Sequence, residues 1–232
     1  MDKIIYYHFL SSKHAIHDLE RQMIRVSTLE TLNDPFELMP YLRYSKGEKI
    51  KHFMEIRDKV SKIYGLLCFS RKWREPLLWS HYADKHRGIA LGFEINYPEI
   101  IDVSYSSDPI RKQIDLTDDL IADKKSFLDL AKIKYIKWAY EEETRVIVKL
   151  EDCIKIDGHY FIEFGNSLKV KEIRLGARFD YEANNTEFIL GISPDAEVIP
   201  CRLERQGYRI VKDGYMEKKL AKTKQSQPSL TS

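Results

Sequence analysis

Glu141, Glu143 and Arg145 occupy alternate positions in the run Lys137-Trp138-Ala139-Tyr140-Glu141-Glu142-Glu143-Thr144-Arg145. Alternate side chains of a strand share a face. A strand that begins near Glu141 therefore presents two carboxylates and a guanidinium together, with Val146, Val148 and Leu150 on the opposite face. The carboxylates stand roughly 6–7 Å apart at their bases, twice the strand rise, a span that suits two contacts on one small ligand. Crowding of like charges raises one carboxylate pKa, and Arg145 opposes that rise. The same residues also fit a plainer arrangement, an acidic helix-to-strand junction closed by an ordinary ion pair.

A second group of polar and aromatic residues follows Cys68-Phe69-Ser70, in Trp79-Ser80-His81-Tyr82-Ala83-Asp84-Lys85-His86-Arg87-Gly88. His81 and His86 lie about 140° apart on a helix of 3.6 residues per turn, too far apart for one metal ion, so no metal is expected. Ser70 lacks the Gly-x-Ser-x-Gly elbow of a hydrolase nucleophile. Trp79 and Tyr82 fit packing, and His81 a capping or polar contact. His8 sits among Tyr6, Tyr7 and Phe9, where it suits a core-rim contact or a hydrogen bond to a ribose or amide. Asn33, Asp34 and Glu37 form a cap-and-turn network. Neither a Walker loop nor a Gly-x-Gly-x-x-Gly fingerprint is present, which disfavours Walker-type ATP hydrolysis and Rossmann dinucleotide binding.

These residues need a scaffold, and the hydrophobic spacing supplies one. Short apolar or alternating runs predict strands at Ile4–Phe9, Ile24–Ser27, Tyr64–Phe69, Ile89–Ile95, Ile101–Tyr105 and Thr144–Leu150. Further strands are expected at Tyr160–Phe164, Val170–Leu175, Val198–Leu203 and Tyr208–Val211. Helical spacing and caps predict helices at Lys13–Met23, Lys46–Ser61, from Pro76 to about Lys85, at Leu116–Tyr140 and at Asn184–Leu190. Without regular βαβ units this reads as α+β: a single compact domain over 1–215, with a mixed or antiparallel sheet, flanking helices and a polar, flexible tail at 216–232.

Composition narrows the classes further. The chain has 232 residues, 43% hydrophobic and 32% charged, values of an ordinary folded protein. A formal net charge of +2 is too small by itself to argue for nucleic acid or a membrane surface. Two basic runs stand out, Lys124, Lys125, Lys132, Lys134 and Lys137, and Lys218, Lys219, Lys222 and Lys224; both read as solvated surface. Cys68, Cys153 and Cys201 are widely spaced, so neither a zinc ribbon nor a disulfide framework is expected. With no signal-like or membrane-spanning apolar stretch, a cytoplasmic location is the simplest expectation.

Taken in order, Tyr7-His8-Phe9, Leu32-Asn33-Asp34-Pro35-Phe36-Glu37, Cys68-Phe69-Ser70, Leu78-Trp79-Ser80-His81-Tyr82-Ala83, His86-Arg87-Gly88, Gly92-Phe93, Lys137-Trp138, Tyr140-Glu141 with Glu143 and Arg145, and Ile173-Arg174-Leu175-Gly176 resemble the bacterial family catalogued as domain of unknown function 2971, from Tyr6 to Gly176. That family label implies no settled reaction. The order of His8, Ser70 or Tyr82, and Glu141-x-Glu143 is also similar to that of ADP-ribosyltransferases. This second resemblance implies an NAD-consuming transferase or glycohydrolase, a toxin or phage-defence effector. Glu143 would stabilise an oxocarbenium-like ribose, Glu141, with Arg145 nearby, would orient or deprotonate the acceptor, and His8, Ser70, Trp79, His81 and Tyr82 would hold the cofactor, Tyr82 or Trp79 stacking on nicotinamide. The alternative is a non-enzymatic module that binds a nucleotide, a nucleic acid or a protein, with the Lys124–Lys137 run as its basic surface.

Overall fold

The structure, a computed structural model, describes residues 4–37, 48–107, 128, 131–184, 186–192 and 195–225. In chain order the first elements are strand β1 (Ile5–Leu10), helix α1 (Ser12–Arg21), β2 (Met23–Val26), α2 (Glu48–Ser61), β3 (Tyr64–Ser70), α3 (Pro76–Tyr82) and β4 (Ile89–Ile95). Then come β5 (Ile100–Asp102), β6 (Ser104–Ser106), β7 (Ile133–Tyr135), a 3-10 turn (Ile136–Glu141) and β8 (Glu143–Lys149). The chain continues through β9 (Ile154–Ile156), β10 (His159–Glu163), β11 (Leu168–Leu175), α4 (Thr186–Ile192), β12 (Glu197–Leu203), β13 (Ile210–Lys212) and α5 (Gly214–Gln225). The protein is α+β with a mixed sheet, as its sequence leads one to expect.

The chain divides into two compact units. One comprises Met1–Met23, Ser70–Asn96 and Glu163–Ser232; the other comprises Ile24–Phe69 and Tyr97–Ile162. In the first unit the strands run in the order β13, β12, β11, β4, β1. The β11–β12 pair is parallel, and the β12–β13, β11–β4 and β1–β4 pairs are antiparallel. Ser11 caps α1, its hydroxyl accepting from the His14 N–H, and the helix stops where Gln22 turns left-handed at φ 52°. Pro76 opens α3, where its missing N–H costs nothing. That helix ends at Tyr82, short of the predicted Lys85, because Asp84, Lys85 and His86 all adopt positive φ. Gly88 follows, and there a Cβ would collide with the Leu10 carbonyl at 2.0 Å.

One row across this sheet is built around a missing side chain. Tyr7 on β1 and Glu172 on β11 both face Gly92 on β4. A Cβ at Gly92 would meet Glu172 Cβ at 3.0 Å and Tyr7 Cε1 at 3.1 Å. The bare glycine leaves space for the Tyr7 ring, whose hydroxyl donates to Glu172 at 2.9 Å.

In the second unit β3, β8 and β5 lie side by side, β5 antiparallel to β8, and β2, β10 and β9 form a separate sheet. Leu29, Val60, Tyr64, Leu66, Ile101, Ala131 and Ile147 make its apolar core. The predicted helix to Tyr140 is corrected here. Residues 133–141 form β7 and the 3-10 turn, while 116–127 lie outside the described residues. The strand expected over Ile101–Tyr105 is two strands, β5 and β6, interrupted at Val103. Of the stretch read as tail, 216–225 belongs to α5, and 226–232 lie outside the described residues.

Candidate functional site

Glu141, Glu143 and Arg145 do converge, by a different route from the one their spacing suggests. β8 starts at Glu143, not Glu141. Glu141 ends the 3-10 turn, and Glu142 between the two acids is left-handed at φ 40°. Asp102 and Tyr105 hold the start of β8. The Thr144 hydroxyl donates to Asp102 at 2.9 Å, and the Glu143 N–H donates to the Tyr105 hydroxyl at 2.8 Å.

Two residues that the sequence places elsewhere complete the group. Lys134, read as part of a solvated basic run, is 8% exposed. Glu37, read as part of a turn network, is 3% exposed. The Lys134 ammonium donates to Glu141 at 2.6 Å and to Glu143 at 2.8 Å, and lies 3.5 Å from Glu37. Arg145 has no exposed surface. Its Nε and Nη2 bind the two oxygens of Glu143 at 2.7 and 3.0 Å. Its Nη2 and Nη1 bind the two oxygens of Glu37 at 2.6 and 3.0 Å, and Nη1 also donates to the Ala131 carbonyl at 2.8 Å. All five guanidinium N–H groups are thus engaged. The Lys134 ammonium also lies 5.1 Å from the Trp138 ring centre.

The electrostatics follow from this geometry. Burial acts to raise the Glu143 pKa, but Arg145 and Lys134 outweigh it and bring the carboxyl down to about 2. Burial acts to lower the Lys134 pKa, but Glu143, Glu141 and Glu37 outweigh it and push the ammonium up. Burial, joined by the Glu143 carboxylate, holds the Cys68 thiol well above its ordinary range. Burial also raises the Tyr105 phenol to about 12. None of these groups is tuned to exchange a proton near neutral pH. Across the five charged residues, three carboxylates face two cations.

The residues expected to hold a cofactor lie in the first unit, whereas Glu141, Glu143 and Arg145 lie in the second. His8 is half-buried on β1. The Ser70 hydroxyl is buried and accepts from the Lys72 N–H at 2.9 Å. Trp79 has no exposed surface; its indole N–H donates to the Trp73 carbonyl at 2.6 Å and its ring meets Phe9 edge-on at 5.2 Å. With no exposed surface, its ring packs the core. His81 is exposed, and Tyr82, half-buried, lies 6.1 Å from it between ring centres.

The first unit also carries a feature that the sequence reading passed over. The hairpin joining β12 to β13 exposes Arg202, Arg205, Tyr208 and Arg209. Arg209 closes the loop through a bidentate pair with Glu204, 2.9 Å for each bond. Arg74, exposed in the turn before α3, is joined to this hairpin because its carbonyl accepts the Ile210 N–H at 2.9 Å. The Arg209 hydrogen bonds, aided by the charges of Arg74 and Arg202, hold the Glu204 carboxyl below its ordinary range. Tyr208 is 96% exposed. Nearby, Arg174 stacks on the Trp73 ring at 3.8 Å and is held by Glu172 at 2.7 Å. Its Nη1 is buried without a hydrogen bond and has no surface at which a ligand could meet it.

Residues 78–146 match the model of a family described as a protein of unknown function, DUF2971. The matched stretch contains Lys134, Glu141, Glu143 and Arg145 and excludes Glu37; it is shorter than the span of the sequence resemblance. No curated protein and no solved structure matches the chain. These comparisons lend no support to the likeness to ADP-ribosyltransferases. No described helix is long and apolar enough to cross a membrane.

Proposed function

We propose that the protein is a non-enzymatic module that binds nucleic acid through the arginine-bearing surface of its first unit. One observation carries this reading: Arg202, Arg205 and Arg209 are all exposed on one hairpin, which the Arg209–Glu204 pair closes and to which exposed Arg74 is tied through its carbonyl. Such an excess of guanidinium suits a phosphodiester backbone, because the planar fork matches phosphate oxygens. The basic surface therefore moves from the lysine run, where Lys134 is buried and paired, to the hairpin. The acids that invited a catalytic reading are buried and held by Lys134 and Arg145 within the protein, and offer little to a ligand.

Fluorescence anisotropy of a labelled oligonucleotide, titrated with protein at several salt concentrations, tests the proposal. Affinity should fall linearly on a log–log plot against salt, and Arg205→Ala should reduce the slope by about 1. Absence of binding at low salt would end this reading.

A second reading, an NAD-consuming enzyme, draws on the surplus of carboxylates over cations in the buried network, the sign of charge that favours an oxocarbenium-like sugar. With Trp79 fully enclosed, half-buried Tyr82 is the ring left for nicotinamide in this reading. A wild-type chain that releases no nicotinamide from NAD, with or without lysate as acceptor source, retires this reading.

A further inference from the structure

We infer that the nucleic acid taken by this surface is single-stranded, with one base stacked on the Tyr208 ring. The inference rests on the nucleic-acid reading and specifies its substrate. An aromatic ring left in water forgoes the burial that normally stabilises it, yet Tyr208 is 96% exposed. It is nevertheless well positioned. The residue after it, Arg209, is locked to Glu204 by both side-chain bonds and by the Glu204 N–H donating to the Arg209 carbonyl at 2.9 Å. The next residue, Ile210, is fully buried and tied to Arg74. Gly207 leaves room for this lock, because a Cβ there would sit 2.5 Å from a Glu204 carboxylate oxygen. A bare ring on a pinned loop is a preorganised platform, with exposed Arg205 on the same hairpin to meet a phosphate.

A duplex makes poor use of such a platform, because its bases already stack on one another. The major groove does admit a two-stranded ribbon, but β12 is covered by β11 along its other edge and β13 is three residues long. An unstacked base has a free face, and stacking on an aromatic side chain is tolerant of sequence.

The test compares three probes on the full chain: oligothymidylate of about 16 nucleotides, a duplex of the same length, and vesicles containing phosphatidylserine. The wild type should bind the single strand more tightly than the duplex. Tyr208→Ala should weaken single-strand binding about 5- to 100-fold, leave duplex binding nearly unchanged, and be rescued by Tyr208→Phe. Equal affinity for both nucleic acids, with Tyr208→Ala neutral, would overturn the stacking inference and leave the nucleic-acid reading standing. Binding to vesicles but to neither oligonucleotide would overturn both.

Discussion

Arg145 and Glu37, 108 positions apart in the chain, share two hydrogen bonds of 2.6 and 3.0 Å with no solvent at the guanidinium. Glu143 grips the same guanidinium along its other edge. Two carboxylates therefore depend on one cation, with Lys134 bridging them.

Replacing Arg145 with Met should cost about 3–5 kcal/mol, because it leaves buried carboxylates short of a counter-charge. Arg145→Lys should also lose stability, since an ammonium cannot make two bidentate pairs at once. Urea unfolding followed by circular dichroism measures both. A loss below about 1 kcal/mol for Arg145→Met would indicate a solvated pair rather than an enclosed one.

Acid should unfold the protein partly through Glu143. Its carboxyl falls from an ordinary 4.5 to about 2 in the folded chain. A lowered pKa contributes stability that is complete above the unfolded value and lost as pH drops through the folded one. The contribution is of order 3 kcal/mol and should vanish between pH 4.5 and 2. Stability measured across that window should decline less steeply in Glu143→Gln than in the wild type, even though the variant starts lower.

Gly92→Ala should destabilise the first unit by about 1–3 kcal/mol, the usual cost of inserting a methyl into a filled space. The new Cβ would press on Tyr7 and Glu172 and disturb their hydrogen bond. Thermal melts of Gly92→Ala and Gly92→Ala/Tyr7→Ala decide the matter. With Tyr7→Ala as the reference, Gly92→Ala should cost less than it does in the wild type if crowding is its cause.

Trp79→Phe should lower stability by about 1–3 kcal/mol, because the Trp73 carbonyl loses its donor and the smaller ring leaves a void in the core. Oligonucleotide affinity and its salt slope should hardly change, since Trp79 has no exposed surface. A variant with unaltered melting temperature and impaired binding would instead place Trp79 at the ligand.

Parts of this molecule can be read from local pattern alone. The apolar run Ile89–Ile95 gives β4 to the residue, and Pro76 marks the start of α3. The i, i+2 spacing of Glu143 and Arg145 correctly puts both on one side of a strand. Lys134 and Glu37 were not legible as their partners. Burial of a lysine depends on acids brought in from elsewhere, and nothing in the lysine run distinguishes Lys134 from exposed Lys137. The turn from β7 into the 3-10 segment likewise hides inside a stretch whose composition suits a helix. At the hairpin, a net charge of +2 averages away the gathering of Arg74, Arg202 and Arg209, which only pairing of distant segments produces. The exposure of Tyr208 is equally invisible, since tyrosine is as much at home in a core as on a rim.

The burial of β8 on both faces has one more implication. Val146, Ile147 and Val148 are all enclosed, so either face of the strand would be content among apolar neighbours. A slip of one residue against β5 would exchange the two faces at little hydrophobic cost. It would also carry Arg145 away from Glu37 and strand charges in a dry interior. The ionic knot thus acts as a key that admits a single alignment of a strand whose greasy teeth would otherwise fit the lock two ways.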